Sequence, residues 1–189
     1  MSKTIVETGP RVLARRGFLA TAVTLSGAAV ALLAGRPGLV RAAEAGSADA
    51  AILKTALGAE YNAIAAYGVG IDSGLLGAGA KKLAATFRDH HRAHADALAG
   101  AMRALKLEPI QPLAKYEFPV EQLKQEADVL AFAAGLERGA MSAYVGAIPL
   151  FGDRELARAA ASILADEAMH WAVLRNALGQ EPVPEAFFT

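Results

Sequence analysis

Apolar residues recur at steps of three and four along most of the chain after residue 46, which is the spacing of amphipathic helices. The pattern predicts four helices, over residues 47–72, 80–105, 121–147 and 153–178. Between the second and third helices, residues 106–120 contain three prolines and show no helical period. This segment is therefore predicted to be an irregular connection.

The lengths of the connections indicate how the helices run. Short turns join the first helix to the second and the third to the fourth, so each pair must form an antiparallel hairpin. The connection over residues 106–120 is long enough to cross the whole bundle. The sequence therefore predicts an all-α fold, a four-helix bundle of two antiparallel hairpins joined by a long crossover. The tail, residues 180–189, is expected to lie along the surface.

The two predicted hairpins resemble each other in sequence. The segment from Glu60 to Tyr67 aligns with the segment from Glu137 to Tyr144, at an offset of 77 residues. His91-Arg92-Ala93-His94 aligns with Glu167-Ala168-Met169-His170, at an offset of 76 residues. A repeat of this length indicates a duplicated hairpin that packs on its copy about a pseudo-twofold axis.

The first 42 residues have the composition of an export signal. A basic, polar start precedes an almost wholly apolar stretch over residues 18–34, and small residues then provide plausible cleavage sites. A retained membrane anchor is the alternative, because 17 apolar residues approach the length of a bilayer span. Glycine and proline interrupt the region after that stretch, which favours cleavage, with a mature chain beginning near Ala43 or Gly46.

Adjacent arginines within this signal, Arg15 and Arg16, are followed by Phe18-Leu19 and resemble the twin-arginine export motif. The resemblance implies that the twin-arginine machinery is a partner and that the chain folds before it is translocated. We expect the mature protein to work outside the cytoplasm, in a periplasm or the medium, without a stable membrane anchor after cleavage.

Composition excludes several classes of function. The chain has 189 residues, and its 19 basic and 19 acidic side chains give a formal charge of zero. Residues 1–42 carry +5 of this balance and the remainder carries −5, so no basic surface for nucleic acid is expected. The absence of cysteine from the sequence excludes disulfides, thiolate metal sites and a cysteine nucleophile.

Polar residues interrupt the apolar stripe of each predicted helix near its middle. These residues are Glu60 in the first helix, His91 and His94 in the second, Glu137 in the third, and Glu167 and His170 in the fourth. A buried carboxylate needs a cation or hydrogen-bond donors, and carboxylate with imidazole is a usual ligand set for divalent metals. The six residues are therefore predicted to form one metal site; the sequence assigns no catalytic residue.

On these motifs, residues 47–179 resemble the ferritin-like superfamily and its exported ferritin-like domain proteins. The family pattern has one glutamate on each of two helices and Glu-x-x-His on the other two. This chain matches it except at His91, which stands where a glutamate is expected. The resemblance implies iron or manganese, with zinc as an alternative, and redox chemistry or metal handling. With His91 in place of a bridging carboxylate, the site could hold one metal, or two bridged by Glu167 alone.

Neighbouring residues and other functions have their own interpretations. Asp166 and His90 lie about 100° away from the inner stripes and are predicted to orient an imidazole, although His90 is also interpreted as a solvated residue. Tyr67 and Tyr144 are interpreted mainly as core residues. The main alternative function is a structural or interaction bundle with a vestigial metal site. A zinc-dependent hydrolase is less favoured because the sequence shows no glycine-rich oxyanion loop, and the oligomeric state is left open.

Overall fold

A computed structural model describes residues 42–188 of the protein, which fold as a bundle of four α-helices. The helices are α1 (Ala42–Asp72), α2 (Ala78–Ala104), α3 (Glu126–Ala147) and α4 (Arg154–Ala177), with short 3₁₀ turns at Val120–Gln122 and Ile148–Leu150. Helix α1 packs mainly along α2, and α3 packs mainly along α4. The predicted all-α four-helix fold is confirmed, whereas residues 1–41 of the predicted export signal lie outside the described residues.

Two helices begin five residues away from the predicted start. Helix α1 begins at Ala42, before the expected start at residue 47, because the intervening alanines and glutamate are good helix formers. Helix α3 begins at Glu126 and not at residue 121. A 3₁₀ turn follows Pro119, and Leu123 is extended, so the chain is not helical there.

The other helix ends follow the local sequence. The carboxylate of Asp153 caps α4 by accepting hydrogen bonds from the backbone N–H groups of Glu155 and Leu156. Gly74 and Gly179 have φ angles of +73° and +68°, a backbone conformation that glycine adopts without strain. Gly74 lies in the turn of the first hairpin, and Gly179 follows the end of α4.

The apolar core is divided into two clusters. One contains Leu53 and Leu57 of α1 with Leu98 of α2, and the other contains Phe87 of α2 with Leu174 of α4. Along every helix, the polar residues of the predicted site lie between the residues of these two clusters. Within residues 42–188, no helix combines the length and the apolarity needed to cross a bilayer.

Candidate metal centre

The six side chains predicted to form a metal site converge at the middle of the bundle. Glu60, His91, Glu137, Glu167 and His170 are each at most 2% exposed, and the side chain of His94 is 13% exposed. Helical periodicity explains the convergence, since each residue lies on the inner stripe of its own helix. No predicted member of the site lies apart from the others.

One group of four donor atoms lies between α1, α2 and α4. His91 Nδ1 is 2.8 Å from Glu60 Oε2 and 3.6 Å from Glu167 Oε1. His94 Nδ1 is 3.6 Å from the same Glu60 oxygen and 3.2 Å from Glu167 Oε1. All four donors lie within 4.8 Å of one another. We call this group half-site A.

A second group, half-site B, has the same composition and lies between α2, α3 and α4. His91 Nε2 is 3.3 Å from Glu137 Oε1. His170 Nδ1 is 3.6 Å from that oxygen and 3.3 Å from Glu167 Oε2. The four residues again have donor atoms within 4.8 Å of one another. Each half-site therefore offers two nitrogen and two oxygen donors.

His91 and Glu167 belong to both half-sites. Each of them has one donor atom facing half-site A and another facing half-site B. The Nδ1 atom of His91 and the Oε1 atom of Glu167 face half-site A. The Nε2 atom of His91 and the Oε2 atom of Glu167 face half-site B. This symmetry follows from the duplicated hairpin, in which His91 and Glu167 occupy equivalent positions.

Two tyrosines bind the glutamates of the opposite hairpin. Tyr144 of α3 donates its hydroxyl to Glu60 Oε1 at 2.6 Å, and Tyr67 of α1 donates to Glu137 Oε1. Burial and the charge of the accepting glutamate raise the pKa of each tyrosine well above its ordinary value, so both remain donors at neutral pH. Sequence reasoning interpreted them mainly as core residues; the seven-residue spacing from each glutamate was the available signal.

Asp166 contacts the outward-facing nitrogens of two histidines. Its Oδ2 atom is 3.2 Å from His94 Nε2 and 3.2 Å from His170 Nε2. The same oxygen is 3.1 Å from Nδ1 of His90, whose side chain is 44% exposed. When Nε2 of a ring carries the proton and donates it to Asp166, Nδ1 presents its lone pair to the centre. Asp166 is therefore placed to orient both imidazoles.

Four buried polar atoms of the centre lack a hydrogen-bond partner. They are Nδ1 of His94, Nδ1 of His170 and both carboxylate oxygens of Glu167. Some approach one another to 3.2–3.3 Å, but not in hydrogen-bonding geometry. Leaving such groups unsatisfied costs about 1–3 kcal/mol each. Two of these atoms face each half-site, so cations bound in both half-sites would satisfy all four, and the donor set fits a divalent metal.

The histidines of the centre are shifted toward the protonated form. Burial lowers the pKa of His91, but hydrogen bonds with Glu137 and Glu60 and the nearby negative charges outweigh this effect and raise it to about 11. For the same reason, contacts with carboxylates overcome burial and raise the pKa of His94 and of His170 to about 9 each. A metal that binds these rings must therefore displace protons.

The three carboxylates respond differently to their surroundings. Burial raises the pKa of Glu60 and of Glu137, but contacts with the histidines lower both values below the ordinary value. The pKa of Glu167 is raised, because burial and the proximity of Glu137 outweigh the contacts with His170 and His94. Glu167 is thus the carboxylate least compensated by its protein partners, which again favours a cation beside it.

Comparisons with known proteins agree with this description. The family described as the ferritin-like domain matches residues 48–180. A conserved hypothetical protein from Mycobacterium tuberculosis is 26% identical, with 76% of this chain and 99% of that chain covered and a TM-score of 0.66. No curated protein matches the sequence significantly.

A second solved structure shows likeness of fold alone. It is a dodecameric thioferritin, a bacterioferritin-related protein from Bacteroides fragilis, at 23% identity and a TM-score of 0.62, covering 81% of this chain and 93% of that chain. Together with the buried carboxylate–histidine cluster, the family match indicates metal binding. Because the match covers residues 48–180, the chain belongs to the family of ferritin-like domain proteins.

Proposed function

We propose that the protein is an exported ferritin-like metal-binding protein whose centre is formed by Glu60, His91, His94, Glu137, Glu167 and His170. The observation that carries the proposal is the set of four buried, unpartnered donor atoms of α2 and α4, two of which face each half-site. Three carboxylates with three imidazoles favour iron or manganese, and zinc also suits this donor set.

The two groups of donor atoms could bind up to two metals, one in each half-site. Glu167 can bridge the half-sites because each of its oxygens faces one of them. A neutral His91 has one lone pair and can serve only one half-site at a time. His91 contacts Glu60 at 2.8 Å and Glu137 at 3.3 Å, so a metal in either half-site must displace one of these contacts.

Bound iron or manganese would supply reversible electron transfer, and this is the basis for the proposed role in redox chemistry or metal handling. The protein contributes a fixed ligand geometry. Tyr67 and Tyr144 hold the carboxylates of the opposite hairpin. Asp166 lies beside the outward nitrogens of His94 and His170, where its charge favours the tautomer that faces the metal. The apolar clusters on both sides of the centre limit access of water.

The proposal that the protein is exported rests on residues 1–42. The basic start, the apolar stretch and the adjacent arginines support export through the twin-arginine machinery, followed by cleavage. Expression of the full chain with and without Arg15→Lys and Arg16→Lys tests this proposal. We expect a processed protein outside the cytoplasm only from the unaltered chain. Equal export of the doubly substituted chain would contradict the twin-arginine assignment.

Metal analysis of the purified mature chain tests the proposed centre. We expect protein purified without chelators to retain near-stoichiometric metal, and Glu167→Gln to lose most of it because the shared carboxylate is removed. Glu155→Gln is the matched control, since this glutamate is also on α4 but its side chain is 78% exposed. Circular dichroism checks that all three proteins fold. An unaltered protein that ignores added Fe²⁺, Mn²⁺ and Zn²⁺ would overturn the proposal.

The second candidate function is a structural bundle with a vestigial site. His91 favours this candidate, because its two nitrogens contact Glu60 and Glu137. Its pKa is raised to about 11, so the ring is protonated at neutral pH and can balance these carboxylates without a metal. Thermal unfolding separates the candidates. Metal at 100 times its Kd should stabilise the folded state by about 2.7 kcal/mol, and thus raise Tm by roughly 5–10 °C. A purely structural bundle would show no shift.

A further inference from the structure

We propose that His90, Asp166 and the outward nitrogen of His170 form an outer cation site, which captures a divalent metal from solvent and passes it to the buried centre. The proposal rests on the metal-binding function proposed above. It assigns a ligand role to His90, which sequence reasoning interpreted as a solvated or orienting residue.

The three donor atoms of the outer site lie close together. His90 Nδ1 is 2.9 Å from His170 Nε2 and 3.1 Å from Asp166 Oδ2. His170 Nε2 is 3.2 Å from the same Asp166 oxygen, and all three donors are within 4.8 Å of one another. Two imidazoles and a carboxylate form a common three-ligand set for a divalent metal such as zinc, with a further position open to water.

The outer site connects solvent with the centre. The side chain of His90 is 44% exposed, that of Asp166 is 21% exposed, and that of His170 is 1% exposed. Exposure therefore falls stepwise from the surface to the buried ring. Tyr67 and Tyr144, which contact the centre on other sides, are buried at 4% and 5% exposure, and they offer no comparable polar contact with solvent.

His170 can serve either site but not both at once, because a neutral imidazole has one lone pair. When Nε2 binds an outer metal, the proton is on Nδ1, which faces Glu137 at 3.6 Å and Glu167 at 3.3 Å. When Nδ1 binds an inner metal, the proton is on Nε2, where His90 Nδ1 accepts it at 2.9 Å and Asp166 lies 3.2 Å away. Both tautomers thus have a carboxylate beside the proton, and occupation of the outer site alternates with occupation of half-site B.

The rate of metal uptake tests this role, with Co²⁺ as the probe because its visible absorption reports ligand binding. We expect His90→Ala to slow uptake by about tenfold or more, since one of three outer ligands is lost. His90→Phe should slow it equally, because it keeps a ring beside Phe87 and His170 but has no donor nitrogen. Asp89→Asn is the control, with an exposed carboxylate one residue away. The amount of Co²⁺ held by the buried centre at saturation should be the same in all four proteins, because none of its six ligands is altered.

Two results would overturn the outer site while leaving the buried centre intact. The first is uptake by His90→Phe at the unaltered rate, which would show that only ring packing matters. The second is a loss of equilibrium affinity in His90→Phe without slower uptake, which would make His90 a positioning residue for His170. Failure of the unaltered protein to take up Co²⁺ at all would instead contradict the proposed function.

Titration of a protein with a disabled centre tests for the outer ion directly. Glu167→Gln removes the shared carboxylate of both half-sites but none of the three outer donors. We expect this variant to bind one weak equivalent of Co²⁺, and the double variant Glu167→Gln, His90→Phe to lose it. Equal binding by the single and double variants would contradict the outer site.

Discussion

Raising the pH should destabilise the protein when its metal is removed by a chelator. Each histidine of the centre has a folded-state pKa above the ordinary value of 6.5, about 9 for His94 and His170 and about 11 for His91. A raised histidine pKa gives stability that is complete below the unfolded pKa and is lost as the pH rises through the folded pKa. The loss should therefore begin near pH 6.5 and continue beyond pH 9.

The size of this effect follows from the shift of a single buried residue. His170 is 1% exposed, and the rise of its pKa from 6.5 to about 9 corresponds to roughly 3 kcal/mol of stability. The pKa of Glu60 and that of Glu137 are lowered, so the stability they contribute is present throughout this range. Domains are typically stable by about 5–15 kcal/mol, and we therefore expect a loss of several kcal/mol between pH 6.5 and pH 9.

Urea unfolding at pH 6.5, 8 and 9, in the presence of a chelator, measures this loss. Glu137→Gln should reduce the pH dependence, because it removes a negative charge that raises the pKa of both His91 and His170. Glu155→Gln, an exposed control on α4, should keep it. A free energy of unfolding that is constant or increases from pH 6.5 to pH 9 in the unaltered protein would refute the reasoning.

Three further predictions concern packing, a loop contact and the tyrosines. Leu57→Ala should lower the free energy of unfolding in urea by about 2–5 kcal/mol, because Leu57 is fully buried. Leu113→Ala is the control, since Leu113 is 67% exposed, and an equal loss in both variants would contradict the described core. Asp49→Ala should lower the free energy of unfolding by about 2 kcal/mol in the same assay, because the Asp49 carboxylate accepts two backbone hydrogen bonds from the α3–α4 loop, at 2.8 and 3.0 Å. Unchanged stability would exclude that contact in solution. Tyr144→Phe should weaken metal binding by roughly tenfold in equilibrium dialysis, because Glu60 loses the hydroxyl that holds it; full affinity would show that the hydroxyl does not orient the ligand.

The convergence of the six residues could be predicted because it depends on periodicity. In α1 and α3, Glu60 and Glu137 are single carboxylates within apolar stripes, and a helix of regular pitch fixes which residues share a face. The duplicated hairpin adds a second constraint, since it places His91 opposite Glu167 about a pseudo-twofold axis. Neither argument requires knowledge of a side-chain conformation.

Contacts that depend on side-chain conformation could not be predicted. The hydroxyls of Tyr67 and Tyr144 reach the opposite hairpin, and no helical spacing shows which carboxylate accepts them. His90 lies off the inner stripe of α2 and contacts the centre only because Asp166 and His170 of α4 approach its ring.

The start of α3 at Glu126 could not be predicted for a similar reason. Residues 120–122 form a 3₁₀ turn after Pro119, and helix propensity does not distinguish this turn from the first turn of an α-helix. At the start of α3, the carboxylate of Glu126 accepts a hydrogen bond from the backbone N–H of Gly77 at 2.6 Å, a tertiary contact that helix propensity cannot predict.

Anomalous diffraction from crystals of the mature protein, grown without chelators and soaked in Mn²⁺ or Zn²⁺, tests the central claim most directly. We expect a strong peak at the centre of the bundle, in half-site A or half-site B, and a second peak in the other half-site at higher metal concentration. Crystals that bind metal only on the surface, with the buried imidazoles still paired to carboxylates, would contradict the metal centre.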